Sequence, residues 1–225
     1  MFDVLRAAPG SPPVTTGHLD GVVTLDLEEA DPARREDRRV CLDERYRTMP
    51  GHLRHEIGHY YWYRLLRGSA WMDEFRELFG DERLPYDEAL RDHYRCGPPV
   101  DWHLHHVSAY ASAHPWEDWA ETWAHYLHML DTSATAAAVG IDTTRTELLH
   151  EPFTVAVLEP LADRAPEELF LTFLNAWIAL TVALNELSRS MGHPDFYPFV
   201  LSSTAVRKLH FVHRVVEAFA GRSAP

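Results

Sequence analysis

The residues with the most specific spacing for chemistry are His55-Glu56-Ile57-Gly58-His59. On a helix, side chains four positions apart stand one turn above each other on the same face. The imidazoles of His55 and His59 can then share one tetrahedral metal ion, with Glu56 beside an open coordination position. That arrangement readies a water molecule for attack on a carbonyl. Two imidazoles hold a divalent ion poorly without a third protein ligand. One solution places another histidine six residues after the second, with a glycine between. Those positions hold Leu65 and Trp62, which excludes it. The other common solution is a glutamate from a later helix.

The tryptophan-rich stretch from Tyr110 to Tyr126 offers one. Glu117 and Glu121 are one turn apart on a helix whose other side carries Trp116, Trp119, Trp123, Leu127 and Leu130. Unpaired carboxylates beside so many apolar rings would pay a large desolvation cost. A zinc ion and its histidines relieve it. The spacing favours Glu117 as metal ligand and Glu121 behind it, accepting the far N–H of a ligand histidine. The opposite assignment stays open. His114, His125 and His128 are read as packing or supporting groups.

These residues need helices to position them. Thr48 is an N-cap for a helix ending near Gly68, with Pro50 in its first turn. His52, His55, His59, Trp62 and Leu66 follow helical spacing along one side of it. Gly58 lies mid-helix, where glycine costs about 1 kcal/mol relative to alanine, so another segment is expected to approach closely there. Pro115 opens a strong helix to about Asp131, followed by a Thr/Ala-rich connection over 132–146 read as a mobile loop. Shorter helices are expected over 71–79 and 86–95, broken by Gly97-Pro98-Pro99. Pro166 opens a helix through about Met191, closed by Gly192, and Thr204 caps a last helix ending near Gly221. Gly21–Leu27 alternates apolar and polar residues, as a strand does. Residues 28–47, dense in acids and arginines, read as a solvated helix or loop. The expected architecture is α+β and mostly α, with a small amino-terminal sheet. A loose lead-in at 1–13 precedes a single domain at 14–225.

Composition narrows the function classes. The 225 residues carry a net charge of -13, which argues against nucleic acid or an anionic membrane as the main partner. Two cysteines, Cys41 and Cys96, leave no disulfide framework and no cysteine-built zinc site. A reduced, cytoplasmic setting is the expectation, and no secretory signal is visible. The longest apolar run, Phe173 to Leu184, contains Asn175 and Thr181 and reads as a buried helix, too short to span a bilayer. Nothing in the sequence sets an oligomeric state.

The histidine motif and the Glu117/Glu121 helix together resemble the gluzincin metallopeptidases. In lethal-factor-like members a tyrosine lies seven residues before the ligand glutamate and an acid follows four after it. Tyr110, Glu117 and Glu121 reproduce both intervals. More closely, Thr16–Gly21, His52–Trp62, Ser108–His128, Ser188–Gly192 and Tyr197–Phe199 resemble a bacterial family of zinc-binding metallopeptidases, over nearly the whole chain from about residue 14. The resemblance implies a zincin-like catalytic domain with one Zn²⁺ ion held by His55, His59 and Glu117. It implies Glu56 as general base, Glu121 supporting a ligand histidine, and a peptide or protein substrate. Tyr110 is then the donor to the tetrahedral oxyanion, and the strand around Val22–Leu27 an edge for an extended peptide. Members usually carry a cysteine-rich zinc-ribbon upstream. This chain starts almost at the strand, so it reads either as a short form or as one whose start is misplaced. Two rivals remain: a zinc-stapled binding domain without catalysis, which Glu56 argues against, and a metal-free helical interaction module.

Overall fold

A computed structural model of the chain describes residues 1–220 apart from 9, 13, 15, 20, 43, 143–150 and 159–164. A three-stranded sheet comes first: β1 (Phe2–Leu5), β2 (Gly17–Leu19) and β3 (Val22–Asp26), with β3 central. β2 and β3 form an antiparallel hairpin with His18 opposite Val23. β1 pairs in parallel with β3, Phe2 opposite Val23 and Leu5 opposite Asp26. Residues 2–5 of the expected loose lead-in are therefore a strand. Their sequence is too short to show alternation, and only the pairing with β3 orders them.

β3 ends in a 3-10 turn, Leu27–Ala30, and α1 (Pro32–Cys41) follows, with Asp26 and Asp31 as successive N-caps. No residue of α1 is buried, as its charge density predicts. The preceding turn differs, because Glu29 is buried. Arg38 Nη1 (3.0 Å) and Arg47 Nη2 (2.5 Å) donate to its Oε1, and His52 Nδ1 lies 2.7 Å from its Oε2. One carboxylate thus ties the sheet's exit to α1 and to the first turn of α2 (Met49–Tyr61).

α2 starts where expected. Thr48 Oγ1 accepts from Gly51 N at 3.1 Å. The helix does not run unbroken to Gly68, however. At Trp62–Leu66 it widens into a π-helical turn before Gly68 at φ +71°. α3 (Met72–Phe79), α4 (Tyr86–Cys96) and the short α5 (Trp102–His105) lead to a 3-10 turn at Tyr110–Ala113 and then to α6 (Pro115–Ala138). α6 is two turns longer than its expected end near Asp131. Residues 132–138, read as part of a loop, are helical, as their alanines favour. Residues 143–146 of that reading lie outside the described residues.

α7 (Ala165–Ser190) and α8 (Ser203–Ala220) complete the chain. Ser202, not Thr204, caps α8, its Oγ accepting from Ala205 N at 3.1 Å; the helix begins one residue before Thr204. By length and apolarity α7 is sufficient to cross a bilayer, longer than its central apolar run implied. Its Phe170, Leu171, Leu174, Trp177 and Leu180 are buried at helical spacing and join the core that also contains Trp62, Phe75, Trp119 and Phe211. One face of α7 is therefore spent on the protein interior.

α2 and α6 share the most extensive contact in the fold. At their crossing Gly58 meets Ala120, and Trp119 Nε1 donates to Gly58 O at 2.9 Å. The close approach expected from Gly58 is therefore observed. The α6 N-terminus is fixed independently. His114 Nδ1 caps Trp116 N at 3.1 Å, and its Nε2–H donates to Leu84 O at the same distance. Next to Glu117, the buried Asp118 pairs with buried Lys208 of α8 at 2.5 Å.

Two outcomes test these contacts. A Cβ at position 58 would stand 3.0 Å from Ala120 Cα and 3.3 Å from Trp123 Cβ. Gly58→Ala should therefore force the helices apart and destabilise by about 1–3 kcal/mol despite the better helix propensity. An unchanged melting temperature would contradict this. Glu29 is the second test. Burial would raise its carboxyl, but His52 and Arg47 outweigh that and lower it from 4.5 to about 2. Its contribution is fully present above pH 4.5 and is lost as pH falls toward 2. The unfolding free-energy difference between wild type and Glu29→Gln, from urea titration, should reach about 2 kcal/mol at neutral pH and shrink on acidification over that window.

Candidate metal centre

His55 and His59 point from one face of α2 toward the first turns of α6, as their four-residue spacing requires. Their Nε2 atoms lie 3.1 Å apart. His55 Nε2 is 3.0 Å from Glu117 Oε2, and His59 Nε2 is 3.5 Å from Glu117 Oε1. Ligands about 2.0–2.1 Å from a tetrahedral zinc ion stand about 3.3 Å from one another. The three separations bracket that value, so the two imidazoles and the carboxylate are spaced as three corners of such a site. Among the described residues they form the one group able to hold a metal ion.

The donor chemistry fits as well. Glu117 is 1% exposed, and its Oε2 is buried without a well-aligned hydrogen bond. A buried carboxylate oxygen in that condition is costly unless a cation faces it. Burial by itself would raise the Glu117 carboxyl, yet His59 and His55 hold it well below the usual carboxylate range. The same burial disfavours charge on His55, and its contacts with Glu117 and Glu121 reverse that, lifting it well above an ordinary imidazole. The cluster is built to attract positive charge.

Glu121 stands behind His55. Its Oε1 is 2.7 Å from His55 Nδ1, and Ser108 Oγ donates to its Oε2 at 2.6 Å. Burial opposes its ionisation, but His55, His125 and Ser108 bring it down to about 2. An ionised Glu121 holds a proton on Nδ1, which leaves the Nε2 lone pair facing the centre. Of the two glutamates, Glu117 lies near both Nε2 atoms and Glu121 on the far side of His55.

Glu56, next to His55 on α2, is 7% exposed. The Tyr110 ring lies 5.9 Å from the His55 ring. Burial and then the Glu117 charge push the Tyr110 phenol far above its normal range, so it stays protonated. His125 and His128 do not face the centre. His125 Nδ1 pairs with the Tyr197 hydroxyl at 2.7 Å, His128 Nδ1 lies 2.5 Å from Arg54 Nη1, and burial lowers them to about 4 and about 3. Their reading as packing groups agrees with this.

Two contributors escaped sequence reasoning. Tyr86, the first residue of α4, donates its hydroxyl to Glu117 Oε1 at 2.5 Å. It stands thirty-one residues before Glu117 with no interval to mark it. Ser108 lay inside a stretch resembling zinc peptidases, but a lone serine before a 3-10 turn carries no signal of its own.

Comparison with known proteins agrees with this geometry. Uncharacterized proteins of Mycobacterium tuberculosis (strain H37Rv) and Mycobacterium bovis are each 48% identical to the chain over 208 residues. The match covers 92% of this chain and 58% of theirs, so the chain spans little more than half the length of these curated relatives. No solved structure matches it. A family model described as "Putative zinc-binding metallo-peptidase" matches residues 1–215, and the chain belongs to that family.

Proposed function

We propose that the chain is a zinc-dependent metallopeptidase with a zincin-like catalytic domain, holding one zinc ion through His55, His59 and Glu117. The observation that carries this reading is the spacing of those three side chains: the two Nε2 atoms are 3.1 Å apart, and each lies 3.0–3.5 Å from one oxygen of the buried Glu117 carboxylate. Zinc bound there supplies Lewis acidity, which lowers the pKa of a water toward about 7 and polarises a carbonyl.

The protein's own groups do the rest. Glu56 accepts the proton of the attacking water and returns it to the leaving amide nitrogen, a general base turned general acid. Tyr110, kept neutral by burial and by Glu117, donates a hydrogen bond to the oxygen that gains charge as the carbonyl carbon becomes tetrahedral. Tyr86 fixes the Glu117 carboxylate, and Glu121 fixes the His55 tautomer. The substrate is a peptide or protein whose scissile amide lies between Glu56 and the two phenols.

A second reading, zinc as a non-catalytic staple in a binding domain, draws on the depth of Glu117 and His55, which are 1% and 7% exposed. The two separate on one substitution. Glu56→Gln should retain stoichiometric zinc and the wild-type circular dichroism spectrum while peptide hydrolysis falls about 10²–10⁴-fold. His59→Ala should lose the metal as well as the activity. Hydrolysis that survives Glu56→Gln would sink the catalytic reading, and zinc binding without any cleavage in the wild type would favour the staple.

A further inference from the structure

An open cavity of about 650 Å³ is lined by side chains of the π-helical turn after α2, of α3, of α4 and of α6. Trp62 and Tyr63 follow His59 by three and four residues on the continuation of α2, so they lie one turn beyond it on neighbouring faces. Trp116 immediately precedes Glu117. The fourth ring, Tyr86, lines the cavity while its hydroxyl reaches Glu117 Oε1. Tyr86 is thus the side chain common to the cavity wall and the donor cluster.

We infer that this cavity is the specificity subsite of the proposed peptidase and takes a bulky, uncharged aromatic side chain next to the scissile amide. The inference rests on the catalytic reading above. Its rings already meet at angles that suit a further ring: Trp62 and Trp116 are edge-to-face at 5.5 Å, and Tyr86 and Trp116 are tilted at 5.7 Å. Offset and edge-to-face geometry favours aromatic occupants beyond what buried area alone supplies. The charged groups at the rim are already engaged. Arg76 holds Glu82 through two contacts of 2.6 and 3.0 Å, Arg83 holds Asp81, and Arg67 lies over the Tyr63 ring at 5.3 Å. A basic side chain would meet three arginines, and an acidic one would compete for them with Glu82, Asp81 and the Tyr63 ring. A neutral ring displaces only water.

Binding tests this apart from turnover. The zinc-loaded Glu56→Gln protein is titrated calorimetrically with alanine hexapeptides carrying one central phenylalanine, one central leucine, or neither. The phenylalanine peptide should bind about tenfold or more tighter than all-alanine, and at least about threefold tighter than the leucine peptide. Tyr63 is 45% exposed and Leu84 is 54% exposed, so both tolerate change. Tyr63→Ala, which removes a wall, and Leu84→Trp, which fills the space, should each reduce the phenylalanine preference to about threefold or less. Equal affinities for the three peptides, equal affinities for phenylalanine and leucine, or a preference unmoved by both variants would overturn the subsite. If the wild type cleaves peptides and the preference is absent, the subsite alone fails. If the preference is present and nothing is cleaved, the catalytic reading fails and the cavity remains a ring-binding site.

Discussion

Gly58 has no side chain, and that lets the backbone of α6 rest directly on α2. The Trp119 indole then reaches across to the Gly58 carbonyl, so the crossing is held by packing and by a buried hydrogen bond together. Three facts follow from the crossing point. His55 and His59 flank Gly58 on α2. Glu117 and Glu121 flank Ala120 on α6. Both pairs are therefore brought to one side of a single contact, and the separations within the donor cluster are set by two rigid helices rather than by loops.

The cluster places two carboxylates and two imidazoles where water is largely excluded, an arrangement that destabilises a fold unless every charge is answered. The structure answers them in layers. Tyr86 donates to Glu117, and Ser108 and His55 to Glu121; one residue along, Lys208 and His106 meet Asp118. These partners come from α2, α4, α8 and the connection after α5, so the surrounding chain is organised around α6.

How much of this could be read from residues alone depends on the range of the interaction. The helix carrying His55 and His59, its Thr48 cap and the close contact at Gly58 all follow from intervals of three or four residues and were legible. The π-helical turn at Trp62–Leu66 was not, because hydrogen-bond slippage inside an apolar run leaves no change in pattern. β1 was missed for a related reason: four residues become a strand only by pairing with a partner twenty residues later. Tyr86 and Ser108 touch the glutamates through tertiary contacts that no local spacing encodes. Glu29 was read as part of a solvated segment because its neighbours are charged, and its burial depends on Arg38 of α1, Arg47 of the following connection and His52 of α2 converging on it.

The central claim is that His55, His59 and Glu117 surround a single zinc ion. Zinc K-edge X-ray absorption of the protein loaded with one equivalent of zinc tests it most directly. A four-coordinate shell of nitrogen and oxygen donors at about 2.0–2.1 Å is expected, with the multiple-scattering signature of two imidazoles. A six-coordinate shell of oxygen alone, or a signature of fewer than two imidazoles, would contradict it.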